Sequence, residues 1–221
     1  MASWPWELLD CRYLIASVDV LAERLEARLP AGFALDADGS PLAPVSGDAP
    51  YLGVEMFACA DGAGWFSTYT SVVPPPDLVV ADHLLFVMWD TAYAEESARD
   101  ALAGRGFPVR NGSVVITGAS DPLWEGVAQV EGLGTVRIAG AFPRAGATFA
   151  GDFVEYMEAE DGTLSAWRTH YEAQTLTAGN VLVEAPTGSW LADVLGGTSA
   201  PANAITGTWS FTGGNIAVPA R

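Results

Sequence analysis

The side chain that most strongly suggests chemistry is Glu55, an acid in the middle of the apolar segment YLGVEMFA. Side chains alternate along a β-strand, so Glu55 shares one face with Tyr51 and Phe57 and has aliphatic neighbours on the other. An unpaired buried carboxylate is costly, and strongly perturbed acids cluster at functional sites. The pattern predicts that Glu55 is a catalytic acid or base, with a structurally paired buried acid as the alternative.

Other polar and aromatic side chains on neighbouring predicted strands are candidates for the same site. Tyr69 lies on the next strand, at residues 64–73, where its hydroxyl is predicted to reach the lumen and take part in catalysis. A few of the eight tryptophans and six tyrosines are expected to line an apolar cavity suited to a polyketide-like or aromatic ligand. The candidate substrate-binding residues are His83, Trp65, Trp89, Arg105 and Tyr51. For His83, at a strand end, a purely structural role is the alternative.

Several familiar kinds of site are not predicted. Two histidines and two cysteines without a clustered spacing do not indicate a metal centre. The segment GLGTVRIAG is not a dinucleotide fingerprint, because no helix follows it. The hydrolase motif GxSxG is absent. We therefore expect no metal and no cofactor.

Composition limits the partners of this chain and the place where it acts. A net charge of −17 and a pI of about 4.2 argue against nucleic acids and anionic membrane surfaces, which require positive patches. No apolar run approaches the length of a membrane span, and the segment MASWPWELLD does not have the pattern of a signal peptide. We expect a cytoplasmic protein that acts on a small molecule, with Cys11 and Cys59 as buried free thiols.

The rest of the sequence predicts the strands and helices that position these side chains. Glycine (24 residues) and proline (14 residues) are abundant and spread out, as in a many-stranded protein with many turns. Helices are predicted after Asp19, which could cap the first one, after Glu95, and in the segment GSWLADVLG. About a dozen strands predict a mainly β (α+β) fold, an antiparallel barrel or double sheet with two or three outer helices, as a single domain over 1–221.

The order and spacing of these segments resemble the acetoacetate decarboxylase-like family over nearly the whole chain. The segments that carry the resemblance are CRYLIAS, VEMFACAD, HLLFVMWD, ESARDALAGRGFPV, YMEAEDGTLSAWR and ITGTWSFTGGNIAV. The resemblance implies a barrel with an internal active site, and a homo-oligomer. It also implies that Arg12 and Glu55 match two site positions of the family, while a second family glutamate falls at Tyr69 or Ser71 and is lost.

The catalytic lysine of the family has no counterpart in this chain. Decarboxylating members form a Schiff base between a lysine and a β-keto acid. The corresponding segment, SARDALAGRGFPVRNG, contains Arg105 and Arg110, and the sequence as a whole contains no lysine. Arginine remains protonated and does not form an imine at neutral pH. The family's Schiff-base decarboxylation is therefore predicted to be absent.

Three functions remain open at this level. The first is a lysine-independent enzyme of specialised metabolism, in which Arg12, Glu55 and Tyr69 cyclise, isomerise or dehydrate a β-keto, enol or polyene compound. Glu55 and Arg12 are expected to work as a pair. The second function is binding of a small molecule without catalysis. The third is a decarboxylase that works without an imine and uses the arginine as an electrostatic sink.

Overall fold

The structure is a computed structural model, and it describes residues 6–36, 50–60, 62–79, 84–104, 106–118, 123–145, 150–173 and 177–216. The strands are β1 (Trp6–Asp19), β2 (Ala34–Leu35), β3 (Tyr51–Ala58), β4 (Gly64–Val73), β5 (Leu84–Tyr93), β6 (Arg110–Thr117), β7 (Leu123–Val130), β8 (Gly134–Ala145), β9 (Ala150–Glu158), β10 (Leu164–Ala173), β11 (Thr177–Glu184) and β12 (Ser199–Ile216). The helices are α1 (Ala22–Glu26), α2 (Glu96–Ala103) and α3 (Trp190–Leu195), with one 3₁₀ turn at Pro76–Leu78. Among these described helices, none has the length and apolar character needed to cross a membrane.

Seven of the strands close into a barrel. The hydrogen-bonded order runs β1–β3–β4–β5–β9–β10–β12 and returns to β1. Closure depends on β12, which is 18 residues long and pairs with three partners. Its first half pairs with β11, its second half pairs with β10, and β1 pairs with both halves. The barrel therefore leaves no free edge in this ring.

A second group of strands packs on the outside of the barrel wall. The strands β6, β7, β8 and β11 connect β5 to β12 around the other side of the molecule. Gly126 of β7 lies against the side chains of Leu14 in β1 and Met56 in β3, so this layer covers the outer face of the wall. Its contact with the wall is one continuous apolar core that also takes in α3. The strand β3 is consequently buried on both faces.

The barrel interior holds a separate core that is rich in aromatic side chains. These side chains come from the inward faces of the barrel strands and from the segment that follows α2. The largest members are Tyr13, Tyr51, Phe57, Trp65, Tyr69, Phe86, Tyr93, Phe107, Phe153, Trp167 and Tyr171. The two-residue alternation of strand side chains sends one set inward and the other set into the core behind the wall. The wall thus separates the two cores.

The predicted architecture of a strand-rich fold with three helices is confirmed, with two differences of detail. The sheet is mixed, because β5 pairs in parallel with β6 and with β9. The connection from β5 to β6 passes through α2, and a crossover of this kind permits a parallel pair. Asp19 does not cap α1, because β1 continues to Asp19 and the capping position is Leu21, whose side chain makes no capping bond.

The two cysteines form a disulfide, so the prediction of free thiols is wrong. Arg12 of β1 is the ladder partner of Ala58 in β3, which puts Cys11 and Cys59 opposite one another at the end of that strand pair. In the sequence the two cysteines lie in apolar segments, 48 residues apart. Only the pairing of β1 with β3 brings them together. The expectation of a reducing compartment rested on the free thiols and loses that support.

The disulfide is expected to stabilise the barrel. Because it closes a loop of 48 residues, its removal should lower the free energy of unfolding by about 2–4 kcal/mol. Denaturant unfolding of the Cys11→Ala/Cys59→Ala variant against the oxidised protein measures this difference. Dithiothreitol should destabilise the wild type and leave the variant unchanged. Equal sensitivity of both proteins to dithiothreitol would contradict the assignment.

Candidate active site

A small cavity lies inside the barrel. Its volume is about 10 Å³, which is room for about one water molecule. Its lining comes from β1, β3, β4, β5, β9 and β10, so six barrel strands contribute to it. The lining residues are Ile15, Glu55, Tyr69, Phe86, Met88, Phe153, Glu155 and Tyr171. The cavity is apolar except for two carboxyl groups and two phenol groups.

Glu55 is held in the cavity wall by two donors from the neighbouring strand. It is only 4% exposed, and its ladder partner across the sheet is Ser67 of β4. The Ser67 hydroxyl donates to Glu55 Oε1, and the indole N–H of Trp65 donates to the same oxygen at 3.0 Å. Trp65 and Ser67 are two residues apart on a strand, so both face the lumen. These bonds fix the carboxyl group and favour its ionised form.

A second buried glutamate, Glu155 of β9, faces Glu55 and was not predicted. It is also 4% exposed, and Tyr171 of β10 donates a hydrogen bond to its Oε1 at 2.8 Å. Among described residues, no hydrogen bond of standard geometry reaches its Oε2. The sequence signal for Glu155 was the segment DFVEYMEA, in which Glu155 shares one strand face with the apolar residues Phe153 and Met157. This is the same pattern that indicated Glu55. Nothing in the sequence shows that β9 lies in the same barrel as β3.

The pKa of each carboxyl group is raised, chiefly by burial. Burial raises the pKa of Glu55 to about 7, and the hydrogen bonds from Ser67 and Trp65 oppose the shift. Burial also raises the pKa of Glu155 to about 8, and the charge of Glu55 adds to the shift. The hydroxyl groups of Tyr171 and Thr169 oppose it, although Thr169 does not meet standard hydrogen-bond geometry. Near neutral pH the pair therefore holds one or two protons.

Tyr69 brings an unsatisfied hydroxyl group to the cavity. Its side chain is 3% exposed, and its hydroxyl has no hydrogen-bond partner among the described residues. Burial and the charges of Tyr51, Glu55 and Glu155 raise the pKa of Tyr69 well above its ordinary value, so it remains a donor. Its ladder partner is Gly53, and a methyl group on Gly53 would overlap the Tyr69 ring. The glycine therefore allows the ring to lie where it does.

The predicted site residues Tyr51 and Trp65 support the cavity from outside its lining. Tyr51 packs edge-on against Tyr69, with ring centroids 6.3 Å apart, and its hydroxyl lies 2.6 Å from the Ser71 hydroxyl. Trp65 packs against Trp167 at 5.3 Å while it donates to Glu55. Phe153 and Tyr171 close the opposite side, with centroids 4.8 Å apart. The polar groups thus sit in a rigid aromatic frame.

Two other predicted residues lie away from the cavity. Arg12 is exposed, and it alternates with the inward-facing residues Tyr13 and Ile15, so it lies on the other face of β1. The predicted pairing of Arg12 with Glu55 is therefore wrong, because the ladder partner of Glu55 is Ile15. Trp89 faces outward, where its ring packs against Trp190 at 6.0 Å. Both predictions failed for the same reason: each side chain was expected to face the lumen, and it lies on the opposite face of its strand.

The other two predicted residues, His83 and Arg105, lie outside the described residues. The cavity lining that the structure does describe contains no basic side chain. Within the described ranges, no three side chains of histidine, cysteine, aspartate or glutamate are grouped so that they could hold a metal ion. The chemistry of the described site therefore rests on the two carboxyl groups and the tyrosines.

Known structures identify the fold. A search of protein-family models found no match, and a search of curated proteins also found none. Among solved structures, the acetoacetate decarboxylase from Legionella pneumophila subsp. pneumophila str. Philadelphia 1 is similar, with a TM-score of 0.65 at 11% identity over 97% of this chain and 88% of that one. The chain has the acetoacetate decarboxylase-like fold. This confirms, at the level of fold, the resemblance found in the sequence.

Other structures with the acetoacetate decarboxylase-like fold are similar to a comparable degree. A second acetoacetate decarboxylase has a TM-score of 0.63 at 11% identity, over 97% of this chain and 90% of that one. The enduracididine biosynthesis enzyme MppR, complexed with pyruvate, has a TM-score of 0.61 at 13% identity, over 98% of this chain and 92% of that one. At such low identity the similarity shows the fold alone. The reaction must be inferred from the residues of the site.

The raised pKa values predict an unusual dependence of stability on pH. The folded state holds protons on Glu55 and Glu155 that the unfolded state releases above about pH 4.5. The free energy of unfolding should therefore fall as pH rises from about 5 to about 8. Thermal unfolding in a pH series measures the slope. The Glu55→Gln/Glu155→Gln variant should have a flatter profile, while Glu184→Gln, on the outer face, should keep the wild-type slope. A double variant with the wild-type slope would contradict the assignment.

The close approach of Gly53 to Tyr69 predicts a specific sensitivity. Gly53→Ala should lower the free energy of unfolding by about 1–3 kcal/mol, because the ring cannot move aside in a packed core. Gly197→Ala is the control, since an added methyl group there meets no atom within 4 Å, and a change within about 0.5 kcal/mol is expected. Urea unfolding measures both, and equal effects would contradict the role given to Gly53.

Proposed function

We propose that this protein is a lysine-independent enzyme that transfers protons between carbon and oxygen in a small carbonyl compound. The observation that carries the proposal is the pair of buried carboxyl groups, Glu55 and Glu155, on opposite strands of one closed cavity. When two carboxyl groups lie in different environments, one can act as the base and the other as the acid. The reaction class is keto–enol isomerisation, and dehydration or cyclisation would use the same two groups.

The hydrogen bonds assign the two roles. Glu55 accepts two hydrogen bonds, which favour its ionised form, so it is the carboxylate base. Glu155 accepts one bond from Tyr171, and the charge of Glu55 disfavours its ionisation, so it carries the proton and acts as the acid. The hydroxyl of Tyr69, which has no hydrogen-bond partner among the described residues, can donate to the carbonyl oxygen of the substrate. Together these groups stabilise an enol while it forms.

The proposed step balances without any other reactant. Glu55 takes a proton from the carbon next to the carbonyl group, and the electron pair of that C–H bond forms the carbon–carbon double bond. The carbonyl oxygen takes the proton of Glu155, and a neutral enol results. Where the carbon next to the carbonyl carries a hydroxyl group, the product is an enediol. Glu55 then returns its proton to the former carbonyl carbon while Glu155 takes the proton of the other hydroxyl, which completes an isomerisation. Where the substrate has a β-hydroxyl group, that group leaves as water with the proton from Glu55 while Glu155 takes the enol O–H proton, which gives dehydration.

The size of the cavity and the ligands of similar structures support a small substrate. A volume of about 10 Å³ holds about one water molecule, so any ligand requires local rearrangement, and a few-atom carbonyl compound requires less of it than a polyene. MppR has been obtained in complex with pyruvate, and also with the condensation product of pyruvate and imidazole 4-carboxaldehyde. A decarboxylase that uses Arg12 as an electrostatic sink has no support, because Arg12 lies on the other face of β1.

Exchange of carbon-bound hydrogen tests the proton transfer directly. The protein should catalyse deuterium incorporation into the methyl group of pyruvamide in D₂O, followed by proton NMR. Glu55→Gln and Glu155→Gln should each slow the catalysed exchange by roughly 10²-fold or more, the usual scale for a general acid or base. Glu184→Gln, on the outer face, is the matched control and should exchange at the wild-type rate.

The same experiment separates this mechanism from imine formation. Exchange should continue in the presence of cyanoborohydride, which reduces imines in preference to ketones. Mass mapping should show no reduced adduct apart from one on the N-terminal amine, because the chain has no lysine. An adduct that accounts for the activity would replace the proposed mechanism. Wild-type exchange no faster than that of the Glu55→Gln variant would remove the catalytic role of the pair.

Binding without catalysis is a second candidate, and the small, closed cavity favours it. Packed side chains leave room for about one water molecule, as in a pocket that holds a ligand only after local rearrangement. On this reading a small carbonyl compound binds and no exchange occurs. Saturable binding of pyruvamide without deuterium incorporation would select this function over the first.

A further inference from the structure

We propose that the cavity selects uncharged carbonyl compounds and discriminates against their carboxylate analogues. The inference rests on the proposed function for the location of the site, and it deepens that function by naming the class of substrate. It is carried by two observations: the polar groups in the cavity that lack partners, and the absence of a basic side chain from the described lining.

The unpartnered groups define what a ligand must offer. The hydroxyl of Tyr69 needs an acceptor, and Glu155 Oε2 lacks a hydrogen bond of standard geometry. Both side chains are more than nine-tenths buried and line the same cavity. Unsatisfied buried polar groups are costly unless a ligand or water completes them. While Glu155 is protonated, a carbonyl oxygen accepts from both groups. Once Glu155 ionises, its Oε2 needs a donor, which an amide N–H supplies and a carboxylate lacks.

The distribution of charge points in the same direction. The lining contributes two carboxyl groups, and no described lining residue is basic. Three of the described arginine side chains are engaged elsewhere: Arg99 donates to the backbone oxygens of Tyr93 and Ala94, and Arg110 pairs with Asp90 at 2.9 Å. Arg137 bridges Glu125 and Glu184 on the outer sheet. A carboxylate ligand would add a third acidic group to a desolvated space without a counter-ion.

The discrimination should grow with pH. The titratable groups that face the cavity are Glu55 of β3, Glu155 of β9, Tyr69 of β4 and Tyr171 of β10, while β1 and β5 contribute Ile15, Phe86 and Met88. Burial raises the pKa of both tyrosines well above the ordinary value, so between pH 6 and pH 9 only the two glutamates change charge. Their ionisation increases the negative charge that a carboxylate ligand meets.

The test compares two ligands of nearly the same shape. Pyruvamide and pyruvate differ by an NH₂ group in place of a charged oxygen, and acetoacetamide and acetoacetate differ in the same way. Isothermal titration of the wild-type protein at pH 7.5 measures the dissociation constant of each. We expect each amide to bind at least tenfold more tightly than its acid, with a larger ratio at pH 9 than at pH 6.

Charge-neutralising variants identify the source of the discrimination. In Glu155→Gln, which retains the side-chain shape, the affinity ratio of amide to acid should fall at least threefold. In Glu184→Gln, which removes one charge from the outer face, the ratio should remain that of the wild type. At pH 9, above the raised pKa of Glu155, each variant removes one negative charge, so a change in the ratio that is confined to Glu155→Gln reports on the cavity.

Equal or tighter binding of the acids would overturn the inference, and so would failure of both amides to bind. An equal change of the ratio in both variants would also overturn it, since the effect would then come from the overall charge. The proposed function fails separately, if the amides bind selectively but pyruvamide shows no catalysed deuterium exchange. If exchange is catalysed while pyruvate binds as tightly as pyruvamide, the proposed function stands and the inferred selectivity is wrong.

Discussion

The structure is organised around the burial of two carboxyl groups in one closed barrel. Water normally solvates such groups, and here the interior replaces it with one phenol, one hydroxyl and one indole donor. These donors only partly offset the loss of solvent, so the pKa of both glutamates rises toward neutrality. A barrel that opened to water would lose this property, since the shift depends on desolvation.

Several features of the fold shield that interior from bulk solvent. The long strand β12 closes the ring by pairing with β1 and β10, and the outer strands cover the wall that carries Glu55. Aromatic side chains fill the space around the carboxyl groups, and the Cys11–Cys59 bridge ties β1 to β3 at one end of the wall. The same packing leaves room for about one water molecule, so a ligand larger than water requires local rearrangement.

The fold of this chain does not by itself assign a reaction. The chain has the acetoacetate decarboxylase-like fold at 11% to 13% identity, yet it contains no lysine that could form an imine. The polar side chains that line the described cavity are acids and phenols. Fold and reaction are therefore separate questions for this protein, and the proposed function follows from the side chains in the cavity.

The sequence by itself determined the strand-rich class, because alternating apolar segments and turn residues are local patterns. It also determined that Glu55 is buried, since an acid flanked by apolar residues on both faces of a strand leaves no other place for it. The absence of an imine-forming lysine is likewise a property of composition alone. The resemblance to a known family extended these local patterns to the whole chain.

Only the tertiary structure decided which strands meet. It brought Glu155 of β9 to Glu55 of β3 and joined Cys11 to Cys59, and it placed Arg12 on the opposite face of β1. These outcomes depend on pairings between strands that are far apart in the chain, and on which of two alternating faces turns inward. A local pattern fixes the alternation of side chains, but the direction of each face is set by the partners that the strand finds in the closed barrel.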